Sequence, residues 1–343
     1  MALSRRAFIS TVGALVVGGA GYEWSRLHPG ANSSVNASLS ESSLAPKATL
    51  PAFITPTEEF FRIDTAFDAI PKINVSDWSL RIHGMVNQEV TLTMSDITGL
   101  AQVEHIITMG CVSNEVGGDL IGTAKWGGVL LSDVLHLAGV KTTAEQLVSR
   151  SHDGWTCGSP VNALMDGRPA MLATSMNGTP LSAKHGFPVR MVVPGLFGYV
   201  SGTKWLTEME LTTWDAFDAY WVQNGWAQQA PMLSSSRIDV PRDNSQVKSQ
   251  TPTRIGGFAW APRSGVRAVQ VRVDGGEWND AVIGQHDTGD AWAEWSWEWT
   301  PASGQRQLQV RCIDGAGNAQ DETIRGTEPS GATGLHSISV QVA

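Results

Sequence analysis

At 343 residues the chain has room for two domains of ordinary size. Apolar residues make up 42% and charged residues 17%, which excludes a disordered chain. The net charge of −9, with no Lys/Arg run, excludes a sequence-independent nucleic-acid binder. Three cysteines, Cys111, Cys157 and Cys312, leave an odd one in any pairing scheme. The fold is therefore not disulfide-stapled, although a Cys157–Cys312 pair stays open.

The chain opens with Arg5-Arg6-Ala7-Phe8-Ile9, which matches the twin-arginine signal pattern. The apolar stretch from Ala7 to Gly21 falls short of the roughly 20 apolar residues of a membrane span. A basic start followed by a short buried helix is the plainer reading, but the order of Arg pair, apolar stretch and Ser/Asn-rich segment favours a signal. No crisp Ala-x-Ala cleavage site stands near Ala20, so an uncleaved N-terminal membrane anchor stays open. The twin-arginine route carries folded proteins, often with a cofactor already inserted. Residues 1–30 are read as signal or anchor and 31–49 as a flexible linker.

Residues 50–233 mix short strands with helical patches. Strands are predicted over 78–84, 89–93, 103–109 and 188–195, and helices over 94–100 and 129–139. Gly139 is a helix stop. Strand and helix do not alternate regularly, which predicts a mixed α+β domain. Residues 234–343 change texture. Short alternating strands are predicted over 256–261, 266–273, 292–299 and 307–314, with Asp274-Gly275-Gly276 as a turn. This spacing predicts an all-β immunoglobulin-like sandwich. Trp295, Trp297 and Trp299 share one strand face. Such a stripe reads as core or interface first and as a wall- or substrate-binding surface second.

Cys111 follows an apolar run and precedes the turn Glu115-Val116-Gly117-Gly118. A thiolate held rigidly there suits a transition metal. A lone cysteine is also often a small buried hydrophobe, and on Cys111 alone that second reading is favoured.

The ordered set of motifs reverses those odds. Glu59-Phe60-Phe61-Arg62-Ile63-Asp64 comes first, then the Cys111 segment and Gly122-Thr123-Ala124-Lys125-Trp126-Gly127-Gly128. Met176-Asn177-Gly178-Thr179-Pro180-Leu181 follows, then His185-Gly186-Phe187-Pro188-Val189-Arg190, Lys204-Trp205-Leu206 and the turn before Trp278. In this order they resemble the sulfite oxidase family of molybdopterin enzymes over residues 50–343. The resemblance implies an α+β molybdopterin-binding domain followed by a dimerisation domain, and hence a homodimer. It implies that Cys111 is the molybdenum ligand and that the cofactor carries the chemistry. His185, Arg190, Ser201, Thr203 and Lys204 fall on the family's cofactor-binding strand and turn, where cations and donors hold a phosphate. Phe61 and Arg62 are further expected cofactor contacts, and Arg62 also faces the metal. On the residues alone, His185 reads as a surface turn residue, Arg190 as a structural ion pair and Arg62 as a solvated charge.

Three departures bear on substrate. Glu115 and Val116 stand where the animal-type pattern has two arginines. Trp221 leads to Trp226 where the pattern leads to a tyrosine, and the neighbouring Tyr220 is the candidate to serve instead. No arginine stands between Gly331 and His336, where the C-terminal part of the pattern supplies one. The expected protein is an exported oxidoreductase, periplasmic or on the outer face of the cytoplasmic membrane. It moves an oxygen atom to or from sulfite, a sulfoxide or a similar small molecule. Electrons pass to a separate redox partner such as a cytochrome, with no haem in this chain. The competing expectation is a non-catalytic secreted protein that keeps the scaffold without the cofactor.

Overall fold

The computed structural model describes residues 50–66 and 69–343. The expected signal, anchor and linker at residues 1–49 lie outside the described residues. Among the described residues, no helix is long and apolar enough to cross a membrane.

Among the described residues the first half holds ten strands: β1 (Ser79–Gly84), β2 (Val90–Thr93), β3 (Gln102–Gly110), β4 (Ile121–Leu130), β5 (Gln146–Ser151), β6 (Thr156–Pro160), β7 (Met171–Met176), β8 (Thr179–Pro180), β9 (Arg190–Val192) and β10 (Leu206–Thr212). One sheet runs β2-β1-β10-β5-β6, with β1 and β10 parallel. The other runs β3-β4-β7-β8, and β9 also pairs with β7. The helices are short: α1 (Met94–Gly99), α2 (Leu131–Ala138) and α3 (Val161–Met165). A capping box between Thr93 and Asp96 starts α1. Gly139 stops α2 in the left-handed region at φ 67°.

This half is mostly β, which corrects the expected α+β balance. Residues 129–139 divide into the end of β4 and helix α2. The expected strand over 188–195 shrinks to β9. Burial on both faces hides one of the strands missed in the sequence. Strand β4 is buried along nearly its whole length, so it shows no alternation of apolar and polar residues.

The second half forms two further sheets. One is β11 (Ser235–Val240), β13 (Thr253–Trp260), β17 (Ala293–Trp299) and β16 (Val282–Ile283). The other is β12 (Gln246–Val247), β19 (His336–Val342), β18 (Gly304–Asp314), β14 (Val266–Val273) and β15 (Asn279–Asp280). Both sheets contribute to one apolar core, with Ile255, Ala259 and Trp295 from the first and Val269, Leu308 and Ile338 from the second. Trp295 is fully buried there, and Trp297 and Trp299 pack against the same core. The tryptophan stripe is therefore core packing.

Contacts between the halves are close, and the described residues form one compact unit. Trp292 stacks on Phe258 at 4.1 Å and joins the core of the first half. Its Nε1 donates to the Phe53 carbonyl at 2.9 Å, and its backbone amide donates to Thr108 Oγ1 at 2.7 Å. These bonds brace β3, the strand that ends just before Cys111.

Candidate active site

A cleft of about 920 Å³, part of it open to solvent, lies over the ends of β3 and β9. Cys111 enters it from the loop after β3. The Cys111 amide donates to the Leu120 carbonyl at 2.9 Å, and Asn114 Oδ1 accepts from the Leu120 amide at 2.8 Å. These bonds close the loop, so the thiol position is fixed by backbone. The Ser113 amide points at Cys111 Sγ from 3.4 Å. Burial pushes the thiol pKa up. An apolar setting of that kind disfavours a bare thiolate and favours one bound to a metal cation.

Arg190 begins β9 and is 5% exposed. Its guanidinium lies over Trp126, 4.9 Å from the ring centroid. Its hydrogen bonds are long and to neutral groups: the His185 carbonyl at 3.3 Å, the Met191 carbonyl at 3.4 Å and Met109 Sδ at 3.7 Å. Among the described residues no carboxylate pairs with it. Burial pulls its pKa down to about 10. A buried cation left this way is costly, and an anion in the cleft would relieve it.

His185 sits one residue before a left-handed glycine. Gly186 has φ 103°, and a Cβ there would come within 3.0 Å of Lys204 Cβ and 3.1 Å of Arg190 Cβ. The glycine thus lets His185, Arg190 and Lys204 crowd one corner of the cleft. His185 Nε2 donates to the Thr57 carbonyl at 3.0 Å, which fixes the neutral tautomer. Burial and the Arg190 guanidinium pull the His185 pKa down to about 4. Lys204 Nζ pairs with Asp64 Oδ2 at 2.6 Å. Burial pulls its pKa down to about 8 against the pull of Asp64.

The sign of the pH dependence follows from these values. An unfolded histidine takes up a proton near pH 6.5, whereas folded His185 stays neutral until about 4. Between these limits the unfolded chain binds more protons, so stability falls as pH falls. His336, pulled to about 4 by burial and Arg237, adds to the trend. Denaturant melts at pH 7 and pH 5 should differ by about 1–2 kcal/mol for each histidine. His185→Gln should remove its share; an unchanged difference would show that His185 is not held neutral.

Cys111, Phe61, His185, Arg190 and Lys204 therefore line one cleft. Four other expected site residues do not. Arg62 is exposed and forms a two-point pair with Asp64, at 2.7 and 3.0 Å. Tyr220 is 36% exposed and packs its ring edge against Trp221. The Ser201 hydroxyl donates to the Leu196 and Phe197 carbonyls, at 3.2 and 2.9 Å. The Thr203 hydroxyl is held by Ser149 Oγ at 2.6 Å. The cleft also contains residues not foreseen: Asp64, Asp153, Trp155 and Tyr199. Asp64 is within three residues of Phe61, and that proximity is the one signal that could have found it.

The set suits a sulfur-ligated metal carried by an anionic organic group. The thiol and an unpaired buried guanidinium face the same space. Gly202 leaves the floor open there: a Cβ on it would lie 3.1 Å from Met109 Cε and 3.4 Å from Arg190 Nη2. Cys111 would hold the metal, and Arg190, His185 and Lys204 the pterin and its phosphate.

Comparison with known proteins agrees. The family described as the oxidoreductase molybdopterin binding domain matches residues 67–221. A mitochondrial sulfite oxidase of Drosophila melanogaster is 27% identical over 293 residues, covering 71% of this chain and 50% of its own length. The sulfite oxidase of Arabidopsis thaliana is 26% identical over 335 residues, covering 81% of this chain and 84% of its own. The crystal structure of the sulfane dehydrogenase SoxCD from Paracoccus pantotrophus superposes with a TM-score of 0.74 at 24% identity, covering 88% of this chain and 86% of that one. That likeness shows the fold. Residues 67–221 are thus similar to a molybdopterin-binding domain. The matched domain and these relatives support placing the chain in the sulfite oxidase family of molybdopterin-dependent oxidoreductases. The chain spans about half the length of the Drosophila relative.

Proposed function

We propose that this chain is an exported molybdopterin-dependent enzyme that moves an oxygen atom to or from a small substrate such as sulfite or a sulfoxide. The observation that carries the reading is the convergence on one cleft of the Cys111 thiol and the buried Arg190 guanidinium, which pairs with no carboxylate among the described residues. When bound, the molybdenum cofactor would supply two-electron redox chemistry and oxygen-atom transfer.

The chain's own residues orient and shield the group. Arg190 and Lys204 offer charge-assisted hydrogen bonds to a phosphate. Neutral His185 presents Nδ1 as an acceptor, because its Nε2 proton is spent on Thr57. Trp205 and Phe61 exclude water from that corner. The same unpaired guanidinium weighs against a scaffold kept without its cofactor, since a protein with no anion to bind would be more stable without it.

Further parts of the reading rest on the sequence. The twin-arginine pattern at Arg5-Arg6 supports export to the periplasm or the outer membrane face, with an uncleaved anchor as one form. The two sheets of residues 235–342 support an immunoglobulin-like sandwich that joins two copies into a homodimer. Electrons would pass to a separate redox protein such as a cytochrome. The test is turnover by metal-loaded protein with an artificial electron carrier, screened over sulfite, sulfoxides and N-oxides. Turnover of any of these at typical enzyme rates, about 1 s⁻¹ or more, is expected. Failure on all three classes by protein with a full metal complement would contradict it.

A further inference from the structure

We infer that the Cys111 end of the cleft selects uncharged molecules with carbon on the oxygen-bearing atom and rejects inorganic oxyanions. This narrows the function proposed above and rests on it.

The wall beside Cys111 is aromatic. Tyr199 stands there, lining the cleft with Cys111. Tyr199 packs on Trp226 at 5.9 Å between ring centroids, and Trp226 packs edge-on against Trp221 at 6.4 Å. All three rings face the cleft, and buried Val112 adjoins them. The wall presents little to an oxyanion. The Tyr199 hydroxyl donates to the Ala227 carbonyl at 2.6 Å and is spent there.

The charges point the same way. Among the described residues that line the cleft, the cations are Arg190 and Lys204. Lys204 is held by Asp64 at 2.6 Å, and Arg190 lies over Trp126 in the corner assigned to the cofactor. His185 is neutral there. Asp64 is matched by Arg62 and Lys204, and Asp153 adds a carboxylate to the cleft. On its other side Cys111 borders a smaller pocket, and Glu115 lines that pocket. A dianion entering here would lose its hydration and, among the described residues lining the cleft outside the cofactor corner, meet only neutral donors such as Ser151, with no cation to offset its charge. A neutral sulfur or nitrogen oxide bearing organic groups would instead pack those groups on the rings, where apolar contact is favourable.

The test uses two probes that do not react: methyl phenyl sulfone as the neutral molecule and sodium sulfate as the dianion. Each is titrated calorimetrically into full-length, molybdenum-loaded protein, and metal content is measured on the same samples. The sulfone is expected to bind at least about tenfold more tightly than sulfate, since one misplaced charge costs several kcal/mol at an interface. Trp226→Arg should reverse that order, and Trp226→Phe should keep it. Glu115→Arg, at an exposed position, should tighten sulfate binding without loss of fold. Sulfate bound as tightly as the sulfone by metal-loaded wild type would overturn the inference and leave the oxidoreductase reading standing. Folded protein that carries neither molybdenum nor pterin after purification from a host able to make the pterin would overturn both.

Discussion

Replacing Cys111 with serine is expected to lower turnover by at least about 100-fold while leaving the fold intact. Removing a group that merely supports a metal ligand costs 10–100-fold, and losing the ligand itself should cost no less. Serine is smaller than cysteine and a hard oxygen donor, poorly matched to a metal that takes soft sulfur. Its hydroxyl can still accept from the Ser113 amide, and the loop stays closed by Cys111 N–Leu120 O and Asn114 Oδ1–Leu120 N. Thermal stability of the metal-free protein should therefore change little. The control is Cys312→Ala, buried in the second core far along the chain from the cleft. It should cost stability, as a cavity does, and leave turnover per folded molecule unchanged. A Cys111→Ser protein with full metal content and full turnover would remove Cys111 from the site.

The second large effect is expected at Arg190. Arg190→Met keeps an unbranched apolar stem over Trp126 and deletes the charge. A hydrogen bond to a charged partner contributes about 1.5–3 kcal/mol, so retention of the cofactor should weaken about 10- to 100-fold. The metal-free protein should be no less stable, because the deleted cation has no carboxylate partner among the described residues and is buried at 5% exposure. A structural arginine would behave in the opposite way. Its loss would destabilise the protein and leave cofactor content alone. Elemental analysis and a thermal melt on the same sample separate the two.

Some of this was legible in the sequence for plain physical reasons. The strands over 78–84 and 89–93 alternate because one face meets the core and the other faces water, and both are present as β1 and β2. The helix stop at Gly139 follows from its left-handed φ. Strands β4, β5 and β10 were not legible because burial on both faces, or a polar ion-pair lattice such as Arg150 with Glu208 and Glu210, erases the alternation.

The site divides in a similar way. Cys111 could be singled out from its place before a Gly-rich turn. His185, Arg190 and Lys204 came from the ordered motifs, and periodicity alone would have left them as surface charges. Tyr220 sits next to Trp221 in sequence, yet Tyr199, twenty-one positions earlier, is the tyrosine in the cleft. Loop convergence decides this, and no local pattern encodes it. Asp64 draws both Arg62 and Lys204 to itself. That pairing depends on residues 140 positions apart meeting in space.

The measurement that tests the central claim most directly is the metal and pterin content of protein purified from a host able to make the pterin. Elemental mass spectrometry should find close to one molybdenum per chain, with an equal amount of released pterin. Folded protein lacking both would contradict the assignment, leaving Cys111 an ordinary buried thiol and the cleft a cavity without its cofactor.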